Sequence, residues 1–220
     1  MPYCLSIDLS ASEGSLAVHT ADERCALVAE ISLGPGFKHS EKLISSLEKM
    51  LSEKKLALAS MDRFVGTWGP GSFTGLRIAL STLKAFAVGT GKPIELMSGS
   101  EARAIAWRLE DSSPAPQVIV YTHVSLDKYV RAVFKAQGDR LVPQPEEVVT
   151  LSSPTSSETG ILLLDERTRP ELFPRAATRL FPLRARHLGR SLSLAITRQT
   201  LSTPAEWIAA SPKYFGDTKF

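Results

Sequence analysis

Apolar and polar positions alternate loosely over residues 3–9, where Tyr3, Leu5, Ile7 and Leu9 share one side, and this predicts a β-strand. Ser10 to Gly14 is small, polar and ends on glycine, a turn. Ser15 to Thr20 and Cys25 to Leu33 read as two further strands, so the chain opens with an antiparallel meander. Gly34-Pro35-Gly36 breaks it. From Ser40 to Leu51 the period changes. Leu43, Ile44, Leu47, Met50 and Leu51 recur at helical spacing, with Ser40 placed as N-cap. A short strand, Arg63 to Trp68, runs into Gly69-Pro70-Gly71. A second helix follows from Thr74 to about Val88 and is expected to close at Gly89. Pro93 to Met97 reads as a strand and Glu101 to Leu109 as an alanine-rich helix.

Asp111-Ser-Ser-Pro-Ala-Pro looks like a connector, and the pattern changes beyond it. Val118 to His123 and Tyr129 to Ala136 form a hairpin around the polar turn Ser125 to Lys128. Residues 143–160 are rich in Pro, Ser, Thr and Glu and read as loop. Ile161 to Leu164 is a short buried strand, Leu188 to Leu201 a helix, and Pro212 to Phe220 a short strand or tail. No repeat of 20–50 residues is visible. The element order predicts an α/β chain in two layered units, residues 1–100 and 101–220, with the boundary near 98–115.

Composition narrows the class. The 220 residues are 43% hydrophobic and 22% charged, ordinary for a globular chain, and only two are cysteines. Cys4 and Cys25 fall in expected strands, which argues for inert core thiols and against a disulfide scaffold. No apolar run is long enough to span a bilayer, and the N-terminus lacks the parts of a signal peptide. A cytoplasmic, membrane-free protein is expected. The net charge of +3 says little, but residues 167–198 hold Arg167, Arg169, Arg175, Arg179, Arg184, Arg186, Arg190 and Arg198 against one acid, Glu171. Such a stretch could contact phosphates, with Arg175, Arg179 and Arg186 as candidate tRNA contacts, or pair with acids elsewhere.

The chemistry concentrates at Gly69-Pro70-Gly71-Ser72-Phe73-Thr74-Gly75-Leu76-Arg77, which joins a strand to a helix. Gly69, Gly71 and Gly75 permit positive φ and close backbone approach, and Ser72 or Thr74 can cap the helix. Free amides at a helix N-terminus hold phosphates, so the segment is either a phosphate loop or a tight junction of the same build. Asp8, the acid at a strand end near this loop, reads either as the remnant of a metal-nucleotide site or as a cap or turn residue. The loop lacks the Gly-Lys-Ser/Thr ending of a Walker A motif and the glycine spacing of the dinucleotide fingerprint. The helix behind it is apolar almost all round. Leu76, Leu80, Leu83 and Ala87 form one line, and Ile78, Ala79, Ala85, Phe86 and Val88 widen it. Such a helix is buried on two sides. The first side belongs to its own sheet, and the second needs another helix or a partner chain. Leu43, Ile44, Leu47 and Leu51 with Leu76, Ile78, Ala79, Thr82 and Phe86 are the candidate interface residues, half of an intermolecular four-helix bundle.

Gly-Pro-Gly-Ser-Phe-Thr-Gly-Leu-Arg-Ile-Ala at 69–79 resembles the signature shared by the TsaB (YeaZ) family and its catalytic relative TsaD. Leu5-Ser-Ile-Asp8-Leu-Ser10 is similar to the family's opening strand, and His39-Ser40 and Pro93 to Ser100 match in order. The resemblance is strong over residues 1–110. Beyond them only the hairpin and Pro212-x-Tyr214 can be placed. It implies a two-lobed fold of the actin/hexokinase (ASKHA, ribonuclease H-like) kind. It also implies a non-catalytic subunit that supports threonylcarbamoylation of the adenosine next to the anticodon of tRNA. The implied partners are a second copy or TsaD, a TsaE-type ATPase, and tRNA indirectly. No cofactor is required of the chain itself, with ATP or ADP admitted at a partner interface.

Some family positions differ. Leu9 replaces a threonine, His123-Val124-Ser125 replaces Asp-Ala-Arg, and Pro212-Lys-Tyr214-Phe-Gly216 replaces Pro-x-Tyr-x-Arg. Each change removes a group that could contact a nucleotide or tRNA. His19, His39, His123 and His187 never pair at i, i+4, and no His-Glu-x-x-His or Gly-x-Ser-x-Gly occurs, so neither a metal site nor a peptidase site is predicted. The alternatives are an ATP-binding or hydrolysing enzyme of the sugar-kinase type, which needs a second loop and a second acid, and a glycoprotease-like peptidase.

Overall fold

A computed structural model describes residues 2–35, 39–111, 115–138, 140–153, 160–173, 177–192, 194–195 and 197–213. The opening meander is formed by β1 (Tyr3–Asp8), β2 (Glu13–Thr20) and β3 (Leu27–Pro35), with Cys4 opposite His19 and Ile7 opposite Leu16. Strand alternation divides β1 between two cores. Leu5 and Ile7 enter one, and Cys4 enters the other. After α1 (His39–Glu53), β4 (Met61–Thr67) lies parallel to β1, and α2 (Phe73–Thr90) carries the chain to β5 (Ile94–Met97), parallel to β4.

Helix α3 (Gly99–Glu110) leads to the second sheet, which contains β6 (Gln117–Ser125), β7 (Lys128–Gln137), β8 (Arg140–Pro143), β9 (Glu147–Thr150), β10 (Ile161–Leu164) and β11 (Ala177–Leu180). Beyond β11 come α4 (Ala185–Ser191), β12 (Gln199–Leu201) and α5 (Pro204–Ala209). The first sheet runs β12-β5-β4-β1-β2-β3; the second runs β11-β10-β6-β7-β8, with β9 also on β7. Leu43, Leu47, Leu80 and Leu83 from α1 and α2 cover one face of the first sheet, and Trp207 of α5 joins them. Ala102 of α3 and Leu188 of α4 cover the other. Ala104 and Trp107, on the same α3, pack with Val118, Val120 and Phe134 of the second sheet. One helix thus serves both sheets, and the fold is the expected two-sheet α/β arrangement.

Several expectations are corrected. The division of the sheets does not follow a cut at residue 100, because β12 pairs with β5 and α4 packs on the first sheet. The helix expected over Leu188 to Leu201 is instead α4, starting earlier, and the separate strand β12. Leu201 pairs with Ile94 and is buried there, so sheet pairing overrides helical spacing. Residues 147–150, expected as loop, form β9. Cys25 lies in a turn at φ 43°, its thiol donating to the Asp22 carbonyl at 3.3 Å, and is not in a strand. Gly91, at φ 70°, closes α2 in place of Gly89. Helix α5 occupies a stretch for which no helix is expected above, although the sequence carries its signal. Thr203-Pro204-Ala205-Glu206 is a capping box with proline in the first turn, and Thr203 and Glu206 bond reciprocally. Of the C-terminal tail, residues 214–220 lie outside the described residues.

Two glycines of α2 make opposite demands. A Cβ on Gly75 would lie 1.8 Å from the Leu9 carbonyl oxygen, whereas one on Gly89 would meet nothing within 4 Å. Gly75→Ala is expected to destabilise by about 3 kcal/mol or more, because helix and strand must separate. Gly89→Ala is expected to stabilise by about 0.5–1 kcal/mol through helix propensity. Urea midpoints of the two variants check both signs.

Candidate functional site

The glycine segment joins three backbones. Ser72 caps α2: its hydroxyl accepts from the Gly75 amide at 3.2 Å, and its own amide donates to the Ser10 carbonyl at 2.8 Å. A Cβ on Gly71 would stand 2.6 Å from that of Ser10. The Gly99 amide, opening α3, donates to the Gly69 carbonyl at 2.8 Å. Just beyond the end of β1, Asp8, Gly71 and Ser72 therefore meet Ser10, Gly75 meets Leu9, and Gly69 is bonded to Gly99. Thr74 is exposed on α2 and does not cap it. Two of the amides that a phosphate would need, those of Ser72 and Gly75, are already bonded within the chain. A bound anion would have to displace Ser10 and the cap.

Asp8 is 1% exposed. Its Oδ1 accepts from the amide and hydroxyl of Ser10 at 3.0 and 2.7 Å, while Oδ2 is buried with no partner among the described residues. Burial pushes its carboxyl up to about 6, against the Ser10 hydrogen bonds and the attraction of Arg103. Arg103, on α3, is buried and donates to the Thr122 hydroxyl at 2.8 Å. Burial lowers its pKa, while Asp165, Glu166 and Asp8 oppose that shift. Asp165 directly follows β10 and is 1% exposed. Its Oδ2 accepts from the His123 amide at 3.0 Å and stands 3.6 Å from Arg167. Glu166 accepts from the Ser12 amide across the sheets. Burial alone would raise the Glu166 carboxyl, but hydrogen bonds from Ser12 and its own backbone, with Arg103, hold it below its ordinary value.

Three carboxylates thus face one buried guanidinium where the ends of β1 and β10 approach. Asp165, Glu166, Arg103 and Arg167 were absent from the site read in the sequence. A signal was available: Leu162-Leu163-Leu164-Asp165 repeats the pattern of an apolar strand ending on aspartate seen in Leu5-Ser6-Ile7-Asp8. Among the described residues no three His, Cys, Asp or Glu side chains group as metal ligands.

The family model for TsaD, tRNA N6-adenosine threonylcarbamoyltransferase, matches residues 36–150, just over half of the chain. The chain belongs to the TsaD family. It is similar to the tRNA N6-adenosine threonylcarbamoyltransferase of Chelativorans sp. (strain BNC1), at 31% identity over 137 residues, 54% of this chain and 38% of that one. With the corresponding protein of Agrobacterium fabrum (strain C58) it shares 30% over 133 residues, 53% and 36% of the two chains. The matched region is well under half the length of these relatives. YeaZ from Pseudomonas aeruginosa superposes with a TM-score of 0.72 at 19% identity, over 98% of this chain and 100% of that one. A second Pseudomonas aeruginosa structure, an uncharacterized protein with similarity to peptidase YEAZ, gives 0.74 at 20%, over 97% and 99%. These likenesses show the fold, and it runs the length of both chains.

Within this TsaD-family chain the expected interface residues separate. Leu43, Leu47, Leu51, Leu76 and Ala79 are buried in the chain's own core and offer nothing to a partner. Ile78, Thr82 and Phe86 are half-buried: Thr82 donates to the Ile78 carbonyl at 2.9 Å, and Phe86 lies 5.6 Å from the Phe64 ring. Ile44, 46% exposed, is the member that faces outward. The second helix that α2 needs is in part its own α5, where Lys84 donates to the Ala210 carbonyl at 2.6 Å. The exposed α2 stripe is Thr74, Arg77, Ser81, Ala85 and Val88. The arginine stretch is partly consumed as well. Arg184 pairs with Glu13 at 2.8 Å and Arg186 with Glu30 at 3.1 Å, so Arg186 is no free phosphate contact. Arg179 is exposed on β11, and Arg175 lies outside the described residues.

Asp8 sets a pH dependence. Its carboxyl titrates higher in the folded chain than in the unfolded one, so its contribution is fully present below about pH 4 and is lost as pH rises through about 6. Asp8→Asn is neutral throughout. It is expected to match the parent near pH 4 and to exceed it above pH 6 by at most about 3 kcal/mol. Urea titrations from pH 4 to 7 check this; parallel stability curves would refute it.

Proposed function

We propose that this chain is a non-catalytic support subunit for threonylcarbamoylation of the adenosine next to the anticodon of tRNA. Membership of the TsaD family supports the link to that modification. Arg103 carries the non-catalytic reading. The strand-end carboxylates that metal-assisted phosphate chemistry would use face a guanidinium of the chain itself, and Glu166 is bonded to Ser12 across the gap. Binding a metal-nucleotide there would require expelling a buried arginine and opening the two sheets.

In this reading the chain acts through a surface. Ile44 on α1, and Ser81, Ala85 and the 71%-exposed Val88 on α2, are the exposed positions offered to a TsaD-type transferase or a second copy. A TsaE-type ATPase, with its ATP or ADP, and the tRNA are engaged through that assembly. Small side chains along α2 would let a partner helix approach closely.

A second reading, an ATP-using enzyme of the actin/sugar-kinase kind, gains one observation. Asp165 supplies, beside Asp8, the second buried strand-end acid that such an enzyme needs. Two measurements separate the readings. Ala85→Arg is expected to weaken binding to a TsaD-type transferase at least tenfold by size-exclusion and calorimetry, while Leu126→Arg on the distant hairpin leaves it unchanged. Magnesium-ATP titrated into the isolated chain is expected to give no binding heat. Submillimolar binding there, with an unaffected Ala85→Arg complex, would favour the enzyme.

A further inference from the structure

A concavity is lined by residues other than those gathered at Asp8. It has a volume of about 360 Å³, and its lining includes Trp68 and Ser98, which follow strands of the first sheet, and Phe134 and Pro143 of the second, so both sheets contribute. That size lies within the range of small-molecule sites.

Its polar groups fall into two corners. At one, Trp68 is 7% exposed, and its indole Nε1 is buried with no acceptor among the described residues. The Lys213 ammonium stands 4.9 Å from the centre of the same ring. An unpaired buried N–H is costly and asks for an acceptor. At the other corner Glu146 accepts from the Ser98 hydroxyl at 2.8 Å, and Glu101, 1% exposed, accepts from the Thr197 amide at 3.0 Å. One corner therefore donates and carries positive charge, and the other accepts and carries negative charge. Phe134, Pro143 and Pro145 give the apolar wall.

We propose that this cavity binds a free α-amino acid with an apolar side chain. Its carboxylate would take the Trp68 N–H and the Lys213 charge, its ammonium the Glu146 and Glu101 carboxylates, and its side chain the Phe134 and proline wall. The inference is independent of the transferase-support reading, since none of these residues lies on the proposed α1 and α2 face.

The test uses the full chain and L-leucine, with L-leucinamide, which lacks the carboxylate, and N-acetyl-L-leucine, which lacks the ammonium. Calorimetry is expected to show leucine binding, with each analogue at least tenfold weaker. Trp68→Phe, which keeps the ring and loses the donor, and Glu146→Gln are each expected to weaken leucine at least fivefold. In the parent protein the Trp68 indole N–H resonance is expected to move on adding leucine, a readout that does not depend on any variant folding. No heat and no resonance shift up to about 10 mM, or equal binding of the three compounds, overturns the proposal.

Discussion

The structure depends on burying a single helix, α3, between two sheets. Gly99 to Trp107 are all buried, and the run includes Glu101 and Arg103. Ala102 faces the first sheet's core, and Ala104 faces the second's. Their small side chains let both sheets approach one helix. A charged side chain in such a place has no water to fall back on, so its partners must come from the chain. Glu101 takes the amide and hydroxyl of Thr197, in the segment leading to β12. Arg103 takes Thr122 and the attraction of Asp165, Glu166 and Asp8. The charges on α3 thereby tie the C-terminal return of the chain to the first sheet and fix how the ends of β1 and β10 face each other.

The glycine segment answers the same constraint. α2 must begin where β1 ends, at a separation no side chain can occupy, and Gly75 against the Leu9 carbonyl is that contact. Gly71 against Ser10 and Gly69 bonded to Gly99 complete a knot of β1, α2 and α3. A phosphate loop needs glycines for backbone approach to a ligand; here the same residues serve approach of backbone to backbone. That is why spacing alone left the two readings open.

The local elements were legible where period and punctuation agreed. The meander, α1, α2, the hairpin and β10 carry clear alternation or helical spacing, and the capping of α2 by Ser72 follows its type. The C-terminal third was legible only in part. Leu201 reads as helical beside Leu194 and Ala195, yet Ile94, 107 positions earlier in the chain, decides its conformation by pairing with it. No period of 3.6 encodes that. The candidate site failed in sequence for a related reason. Asp8 could be found because it adjoins the glycine motif, whereas Asp165 and Arg103 reach it only through topology. Of the expected interface residues, Leu43, Leu47, Leu51, Leu76 and Ala79 are taken up by the chain's own core, because helical spacing shows that a face is apolar but not whether the same chain covers it.

The arginine-rich stretch shows how little charge excess decides without partners. Arg184 and Arg186 stand at the start of α4 and pair with Glu13 of β2 and Glu30 of β3. These pairs are partly exposed, and each contributes at most about 1 kcal/mol. They cannot by themselves hold α4 to the sheet. That work falls to Leu188 and Leu192, buried with Val65 and Met97, and to Gly189, which seats the helix against the His19 ring. Burial lowers the His19 imidazole to about 4, so it stays neutral beside Arg190 and Arg186 and its Nε2 can meet the Arg186 carbonyl at 3.0 Å. Apolar burial brings the basic segment to the sheet, and the ion pairs form between the groups it brings together. The positive charge left for a polyanion is that on residues such as Arg179, whose carboxylate partners the fold has not supplied among the described residues.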